Sequence, residues 1–230
     1  MTRLPRICLP GMPQHVIQRG NNRQACFASE KDFAAYARWL REYAERYRVE
    51  LHAWVFMTNH VHLLMTPETG NGISKLMQSL GRRYVRYFNY TYARTGTLWE
   101  GRFKSCIIDA ENYLLQCQRY IEMNPVRASM VESPDEYKWS SYRCNGLAQA
   151  SCLWTPHPVY QALGDTKEIR AKHYRAVFRG HIEEALLKEI RCSVNQGMAL
   201  GNERFKAEVE ALTGRRTTRL KRGPKPKAVM

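Results

Sequence analysis

Residues 49–65 read VELHAWVFMTNHVHLLM, and this stretch decides the fold. It holds two runs rich in β-branched, aromatic and aliphatic residues, 49–57 and 60–65, a composition typical of strands. Only Thr58 and Asn59 separate the two runs, so the connection is short enough for a tight turn. The stretch therefore predicts a β-hairpin in the middle of a sheet.

Periodic segments on both sides of the hairpin complete the pattern. The other predicted elements are a strand at 15–19, a helix at 30–47, a helix at 73–93, a strand at 102–108 and a helix at 110–124. Ser29 and Asp109 are expected to cap the helices that follow them, and Pro125 is expected to end the last one. This order predicts an α+β fold, with helices packed on a central antiparallel sheet.

Composition indicates a folded protein with a polyanionic partner. The chain has 230 residues, of which 44% are apolar, so it is long enough to bury a core. Its 36 basic residues exceed its 21 acidic ones, which gives a net charge of +15. Such a balance favours nucleic acid as a partner, although a basic enzyme of another kind remains an alternative.

The cysteines and the hydropathy pattern favour a cytoplasmic protein. None of the seven cysteines stands in a C-x-x-C pair, which argues against a zinc knuckle and favours a reducing compartment. No stretch approaches the roughly 20 apolar residues that a spanning helix needs, and no secretory signal is visible at the start. We therefore expect no membrane partner.

His60 and His62 are candidate metal ligands. Side chains at i and i+2 of a strand point to the same face, so the two imidazoles are expected to lie side by side. The alternative is a pair of half-exposed histidines without a ligand. The strongly apolar residues around the pair favour the metal site, because they place it in the centre of the sheet.

Tyr120 and Asn124 form the second candidate group. They are four residues apart in the predicted helix at 110–124 and so share a face. The apolar side of this helix is marked by Leu114, Cys117 and Ile121, so Tyr120 is expected to lie outside the core. Its hydroxyl is a candidate nucleophile, and the Asn124 amide oxygen is a candidate third metal ligand. The alternative is a boundary tyrosine whose hydroxyl only reaches solvent.

A basic stretch interleaved with aromatic residues runs from Thr69 to Lys104. It holds seven basic residues, and its one acidic residue is Glu100. This composition is typical of a groove for single-stranded nucleic acid, although a solvated helix face over a buried aromatic stripe is the alternative. The residues expected to bind DNA here, and in the turn after the first strand, are Arg19, Asn21, Asn22, Arg82, Arg83, Arg86, Arg102 and Lys104.

Four segments, in this order, resemble the motifs of single-tyrosine HUH transposases. They are WVFMTNHVH at 54–62, GRFKS at 101–105, RYIEMNPVRA at 119–128 and WSSY at 139–142. The subgroup they resemble is that of the REP-associated tyrosine transposases, and the resemblance covers roughly residues 10–145. It implies a ferredoxin-like HUH sandwich.

The resemblance also implies a chemistry. Tyr120 would attack a DNA phosphate, form a 5′-phosphotyrosine link and free a 3′-OH. A divalent ion, Mg²⁺ or Mn²⁺, would be held by His60, His62 and Asn124. The implied substrate is single-stranded or hairpin DNA, the implied location is the nucleoid within the cytoplasm, and the protein would act as a homodimer or a monomer.

The predicted organisation is a catalytic domain at 1–145, a helical extension at 146–214 and a flexible basic tail at 215–230. The tail is either a phosphate-binding arm or a solubilising segment. Two alternatives to the nicking and joining enzyme remain open. One is a non-catalytic, sequence-specific DNA-binding regulator that keeps the fold, and the other is a metal hydrolase that acts on a different substrate.

Overall fold

The computed structural model describes residues 6–180 and 182–218. Its strands are β1 (Gln14–Arg19), β2 (Val49–Met57), β3 (His60–Pro67), β4 (Lys104–Ile108) and β5 (Ala199–Leu200). Its helices are α1 (Glu30–Arg46), α2 (Gly72–Thr91), α3 (Ala110–Glu122), α4 (Asn124–Arg127), α5 (Tyr142–Asn145), α6 (Pro158–Gln161), α7 (Lys167–Val177), α8 (Glu184–Gln196) and α9 (Glu203–Thr213). Short 3₁₀ turns lie at Asn21–Arg23 and Pro134–Glu136.

The sheet has the strand order β2-β3-β1-β4-β5. Its first four strands are antiparallel and follow the order of a ferredoxin-like βαββαβ sandwich, so the predicted α+β fold is confirmed. The hairpin is also confirmed, because Met57 pairs with His60 across a two-residue turn. In the register of β1 against β3, Ile17 lies opposite His62 and Arg19 opposite His60. The middle strand of the sheet therefore runs beside the histidine pair.

Two helical layers cover the two faces of the sheet. Strand residues such as Leu63 and Met65 pack with α1 and α2 in the larger apolar cluster. Strand residues that point to the other face of the sheet, such as Val55 and Leu64, pack with α3 and α8 in a second cluster. Because α3 and α8 share this face, the C-terminal extension lies beside the helix that carries Tyr120.

The last predicted helix differs from the structure at its end. The predicted helix at 110–124 is confirmed from Ala110 to Glu122, but its predicted end is wrong, since α3 ends at Glu122 and α4 begins at Asn124. Pro125 does not end the helical region, which continues as α4. It occupies the first turn of α4, where its missing N–H is no loss.

The C-terminal region contains more than helices. Ala199–Leu200 joins the sheet as β5, parallel to β4. Of the predicted tail, residues 215–218 are described and 219–230 lie outside the described residues. Thr217 is buried, its N–H donates to Glu210, and its hydroxyl lies within hydrogen-bond distance of the Lys206 carbonyl and of Glu210, so this part of the chain packs against α9. Within the described ranges, no helix is long and apolar enough to cross a membrane.

Candidate active site

The histidine pair lies at the start of β3. The ring centroids of His60 and His62 are 5.0 Å apart, so the structure brings the two imidazoles together as the spacing predicts. His62 is buried and His60 is half-buried. Burial, with a smaller effect from Arg19, lowers the pKa of His60 to about 4, and burial holds the pKa of His62 well below its usual value. Both rings are therefore neutral at pH 7, the form in which imidazole binds a metal.

One nitrogen of each ring is already engaged by the protein. The His60 Nδ1 lies 2.6 Å from the Asn59 Oδ1, and the His62 Nδ1 lies 2.8 Å from the Nε2 of His15. Because an amide oxygen only accepts, His60 carries its proton on Nδ1 and keeps the Nε2 lone pair for a ligand. The same assignment for His62, with Nδ1–H donating to His15, leaves its Nε2 free in the same way.

His15 is a site residue that sequence reasoning missed. It is fully buried on β1, and its ring lies edge to edge with that of His62, with centroids 5.1 Å apart and planes 21° apart. Burial, with a smaller effect from Arg127, lowers the pKa of His15 to about 3, so this ring is neutral as well. A signal was present, because His15, Ile17 and Arg19 alternate along β1 and so share the face of the histidine pair.

Tyr120 reaches the histidines from α3. The centroid of its ring is 5.8 Å from that of His62 and 5.7 Å from that of His15. The expectation that Tyr120 lies outside the core is wrong, since only 4% of the residue is exposed and it belongs to the second apolar cluster. The reason is tertiary, because α8 adds Ile190 and Val194 to that cluster.

The Asn124 amide is held by the backbone of α3. Its Nδ2 donates to the carbonyls of Tyr120 and Ile121, each at 3.0 Å. These two bonds set the orientation of the amide. No hydrogen bond within the described chain uses its Oδ1, which is the atom that suits a metal ligand.

Arg127 holds the segment that carries Tyr120. Its guanidinium carbon lies 4.3 Å from the centroid of the Tyr120 ring, and Nη2 donates to the Tyr120 carbonyl at 2.7 Å. Nη1 is buried without a hydrogen-bond partner among the described residues. Burial lowers the pKa of Arg127 to about 10, so the group remains a cation at neutral pH. The sequence pattern gave this arginine no role.

The four predicted catalytic and metal-binding residues line one cleft of about 240 Å³. The other polar or charged residues that line it are Arg19, Glu100, Arg102, Lys104, Arg191 and Asn195. Three of the predicted DNA contacts, Arg19, Arg102 and Lys104, therefore surround the histidines and the tyrosine. The cleft can accept an anion, because its lining holds four cations and one carboxylate.

The donor set of the cleft fits a divalent cation. Among the described residues, no group of three or more His, Cys, Asp or Glu side chains could hold a metal ion. His60, His62 and Asn124 nevertheless line the same cleft, and a mixed set of imidazole nitrogens and an amide oxygen suits Mn²⁺ better than Mg²⁺. Three protein ligands leave coordination positions for substrate oxygens.

The other predicted DNA contacts lie outside the cleft lining. Asn21 and Asn22 form the 3₁₀ turn that follows β1, and the Asn21 N–H donates to the Leu98 carbonyl. The three arginines of α2 are exposed on the layer that covers the opposite face of the sheet; they are Arg82, Arg83 and Arg86.

The aromatic residues of α2 belong mainly to the core. Tyr84 and Phe88 are buried in the larger apolar cluster. For this helix the alternative interpretation holds, namely a solvated face over a buried aromatic stripe. The structure therefore does not bring the α2 arginines to the cleft.

Comparisons with known proteins agree with this architecture. The chain matches a solved structure of a REP-associated tyrosine transposase bound to a REP hairpin, with 17% identity and a TM-score of 0.55. That match covers 68% of this chain and 93% of the other. A second solved structure, named as a candidate transposase from Deinococcus radiodurans R1, has 24% identity and a TM-score of 0.37, over 53% of this chain and 96% of the other. A comparison with curated proteins found no match.

The first of these likenesses establishes a shared fold. The sequence profile of the IS200-like transposases matches residues 8–124, which is just over half of the chain. This range contains His15, His60, His62, Tyr120 and Asn124, the residues that the structure gathers at the cleft. The chain therefore belongs to the family of IS200-like transposases.

Proposed function

We propose that this protein cuts and rejoins single-stranded DNA next to a hairpin, with Tyr120 as the nucleophile. The observation that carries the proposal is the convergence of Tyr120, His60, His62 and Asn124 on one basic cleft. These residues are far apart in sequence, and a protein that only binds DNA has no need of a phenol beside two neutral imidazoles. The solved relative bound to a REP hairpin supports hairpin DNA as the substrate class.

The cleavage step exchanges one phosphoester for another. The Tyr120 oxygen forms a bond to phosphorus and loses its proton to solvent, while the bond from phosphorus to the 3′ oxygen breaks. The 3′ oxygen takes up a proton and leaves as a 3′-OH, and the 5′ phosphate stays on Tyr120. Attack by a 3′-OH reverses the step and rejoins DNA, so no nucleotide cofactor is consumed.

The residues in and around the cleft have different roles in the proposed reaction. Arg19, Arg102 and Lys104 hold the phosphate backbone by charge, and Arg127 keeps the phenol ring in place. His60, His62 and Asn124 would hold Mn²⁺ or Mg²⁺, which when bound polarises the scissile phosphate. His15 orients His62 from behind. All of these groups come from one chain.

The direct test is a labelled hairpin oligonucleotide incubated with Mn²⁺ and analysed on a denaturing gel. We expect wild type to give a cleaved strand and a covalent protein–DNA adduct. Tyr120→Phe should abolish both, because phenylalanine has no oxygen to attack with. Tyr113→Phe is the matched control, since Tyr113 lies on the same helix but does not line the cleft.

Three outcomes would contradict the proposal. An adduct that persists in Tyr120→Phe would mean that another residue is the nucleophile. Hairpin binding without cleavage by wild type, over a range of Mn²⁺ and Mg²⁺ concentrations, would instead favour the non-catalytic regulator. Turnover without any covalent species would favour the metal hydrolase.

A further inference from the structure

Helix α8 forms a wall of the candidate active site, although it lies outside the residues that match the family profile. Ile190 and Val194 are fully buried in the same apolar cluster as Tyr120. Arg191 and Asn195 follow them by one residue each and line the cleft. The apolar anchor therefore determines where these two polar side chains stand relative to Tyr120.

The Arg191 side chain is a cation without a partner among the described residues. The guanidinium makes no hydrogen bond or ion pair with any residue in the described ranges. Its neighbours in the cleft lining include Arg19, Arg102 and Lys104, and its charge is also felt by Arg127. Like charges close together repel one another, so a bound anion would stabilise this cluster of cations.

Asn195 connects the helix to the sheet. Its Oδ1 accepts a hydrogen bond from Nζ of Lys104 at 2.9 Å, and its Nδ2 donates to the Arg191 carbonyl at 2.8 Å. Lys104 is itself one of the expected DNA contacts. Asn195 thus positions the Lys104 ammonium at the point where α8 meets β4.

A second cavity of about 290 Å³ continues the basic surface along α8. It shares Arg102, Lys104, Val194 and Asn195 with the active-site cleft. The cleft is therefore one end of a longer trough, with α8 as one wall and β4 as the other. This shape matches an extended strand better than a small ligand.

We infer that α8 is a phosphate-binding wall, in which Arg191 donates to the non-bridging oxygens of a DNA phosphate next to Tyr120 and Asn195 holds Lys104 on the same backbone. The inference rests on the proposed function in one respect, that the DNA strand lies in this cleft. It assigns a role in substrate binding to the C-terminal extension. The ligand is a phosphodiester of single-stranded DNA.

The test measures binding of a single-stranded oligonucleotide by proteins that carry Tyr120→Phe, so that cleavage does not interfere. Arg191→Ala should weaken binding about tenfold or more, because it removes a charge-assisted hydrogen bond. It should also lower the magnitude of the salt-dependence slope by about 0.7, the value for one phosphate contact on a single strand. Arg191→Lys should restore part of both.

The matched control is Lys188→Ala, on the same helix. Lys188 is exposed and paired with Glu184, and it does not line the cleft. We expect its loss to leave affinity and slope unchanged. Equal losses in Lys188→Ala and Arg191→Ala would overturn the inference, because they would show a diffuse effect of net charge.

Neutral methylphosphonates, placed one at a time along the oligonucleotide, locate the contact. At the phosphate that Arg191 binds, a methylphosphonate should weaken binding to the protein that retains Arg191. It should have little effect on binding to the Arg191→Ala variant. Uniform losses at every position would overturn the inference, as would unchanged binding by Arg191→Ala. Faster cleavage by an Arg191→Ala variant that keeps Tyr120 would also overturn the inference, because it would mean that Arg191 on α8 obstructs the cleft.

The two proposals fail in different ways. If wild type forms no covalent adduct but the methylphosphonate pattern depends on Arg191, the chemistry is wrong and the phosphate wall stands. If wild type forms the adduct and Arg191→Ala binds and cleaves normally, the chemistry stands and the wall is wrong.

Discussion

At the residue scale, the site depends on side chains that hold other side chains in place. His15 contacts His62 by a 2.8 Å hydrogen bond between the edges of the two rings, and it does not line the cleft. Arg127 acts on Tyr120 in a similar way, through the ring and the backbone carbonyl. Both are positioning residues, so their substitution should alter metal binding or reactivity more than DNA affinity.

Replacing His15 should weaken metal binding. In His15→Gln a flexible amide of different length and direction replaces the imidazole that bonds to the His62 Nδ1, so the orientation and basicity of the His62 ring change. We expect Mn²⁺ affinity, measured by titration calorimetry, to fall by about tenfold to a hundredfold. His52→Gln is the control, because His52 is a buried histidine that bonds to Thr66 and Thr155 away from the cleft. Wild-type Mn²⁺ affinity in His15→Gln would refute the assigned role.

Replacing Arg127 should slow the chemical step. Arg127→Ala removes the cation from the Tyr120 ring and the donor from its carbonyl, so the phenol is less well held for attack. We expect the single-turnover cleavage rate to fall by about tenfold, with a smaller change in oligonucleotide affinity. Arg94→Ala, which removes a similar cation–ring contact at Phe88, should cleave at the wild-type rate. An unchanged rate in Arg127→Ala would exclude this role.

At the scale of elements, a buried carboxylate ties the tyrosine helix to the helices that follow. Glu122 lies at the end of α3 and accepts hydrogen bonds from Ser141, Asn145 on α5 and Tyr174 on α7. The group is fully buried without an ion-pair partner among the described residues. Burial raises the pKa of Glu122 to about 7, despite these three donors. The WSSY segment thus serves the fold at Ser141, which bonds both Glu122 and the Trp54 carbonyl.

This carboxylate should make stability depend on pH. Because the folded pKa lies above the unfolded one, the folded state keeps its proton longer, and this group's contribution falls as pH rises from about 4.5 to about 7. The loss is on the order of 3 kcal/mol when complete. Glu122→Gln cannot titrate, and its amide can donate to Tyr174 while its oxygen still accepts from Ser141 and Asn145. We expect the variant to gain stability relative to wild type between pH 5 and 8, as measured by urea unfolding. A difference that does not vary with pH would show that Glu122 does not titrate in this range.

At the scale of the whole molecule, the extension and the family domain share one core. Ile190 and Val194 of α8 pack with Leu114, Tyr120 and Ile121 of α3. The strand β5 extends the sheet beyond β4. Residue 145 therefore marks the end of the recognised sequence motifs. The apolar packing continues across this position, from the catalytic region into the extension.

Truncating Ile190 should consequently destabilise the whole protein. We expect Ile190→Ala to cost about 2 to 5 kcal/mol, similar to Leu114→Ala, because both side chains are fully buried in the same cluster. Each variant should unfold in a single transition, followed by both fluorescence and circular dichroism. Two separate transitions, with only the first shifted by Ile190→Ala, would mean that the extension folds independently.

The sequence by itself determined the local elements and the residue types of the chemistry. Hydrophobic periodicity is a property of neighbours along the chain, so it predicted the β2–β3 hairpin, α1 and α2. It placed His60 beside His62 for the same reason, since strand alternation is local. The motif around Tyr120 added the family and the proposed nucleophile.

Only the tertiary structure decided which distant residues meet. The hydrogen bond between His15 and His62 depends on the pairing of β1 with β3. The burial of Tyr120 and the approach of Arg191 depend on how α3 and α8 pack on one face of the sheet. The same packing placed the α2 arginines on the opposite layer, although their spacing in sequence resembles that of a groove. Contacts of this kind are set by the burial of apolar surface between elements, and no period along the chain encodes them.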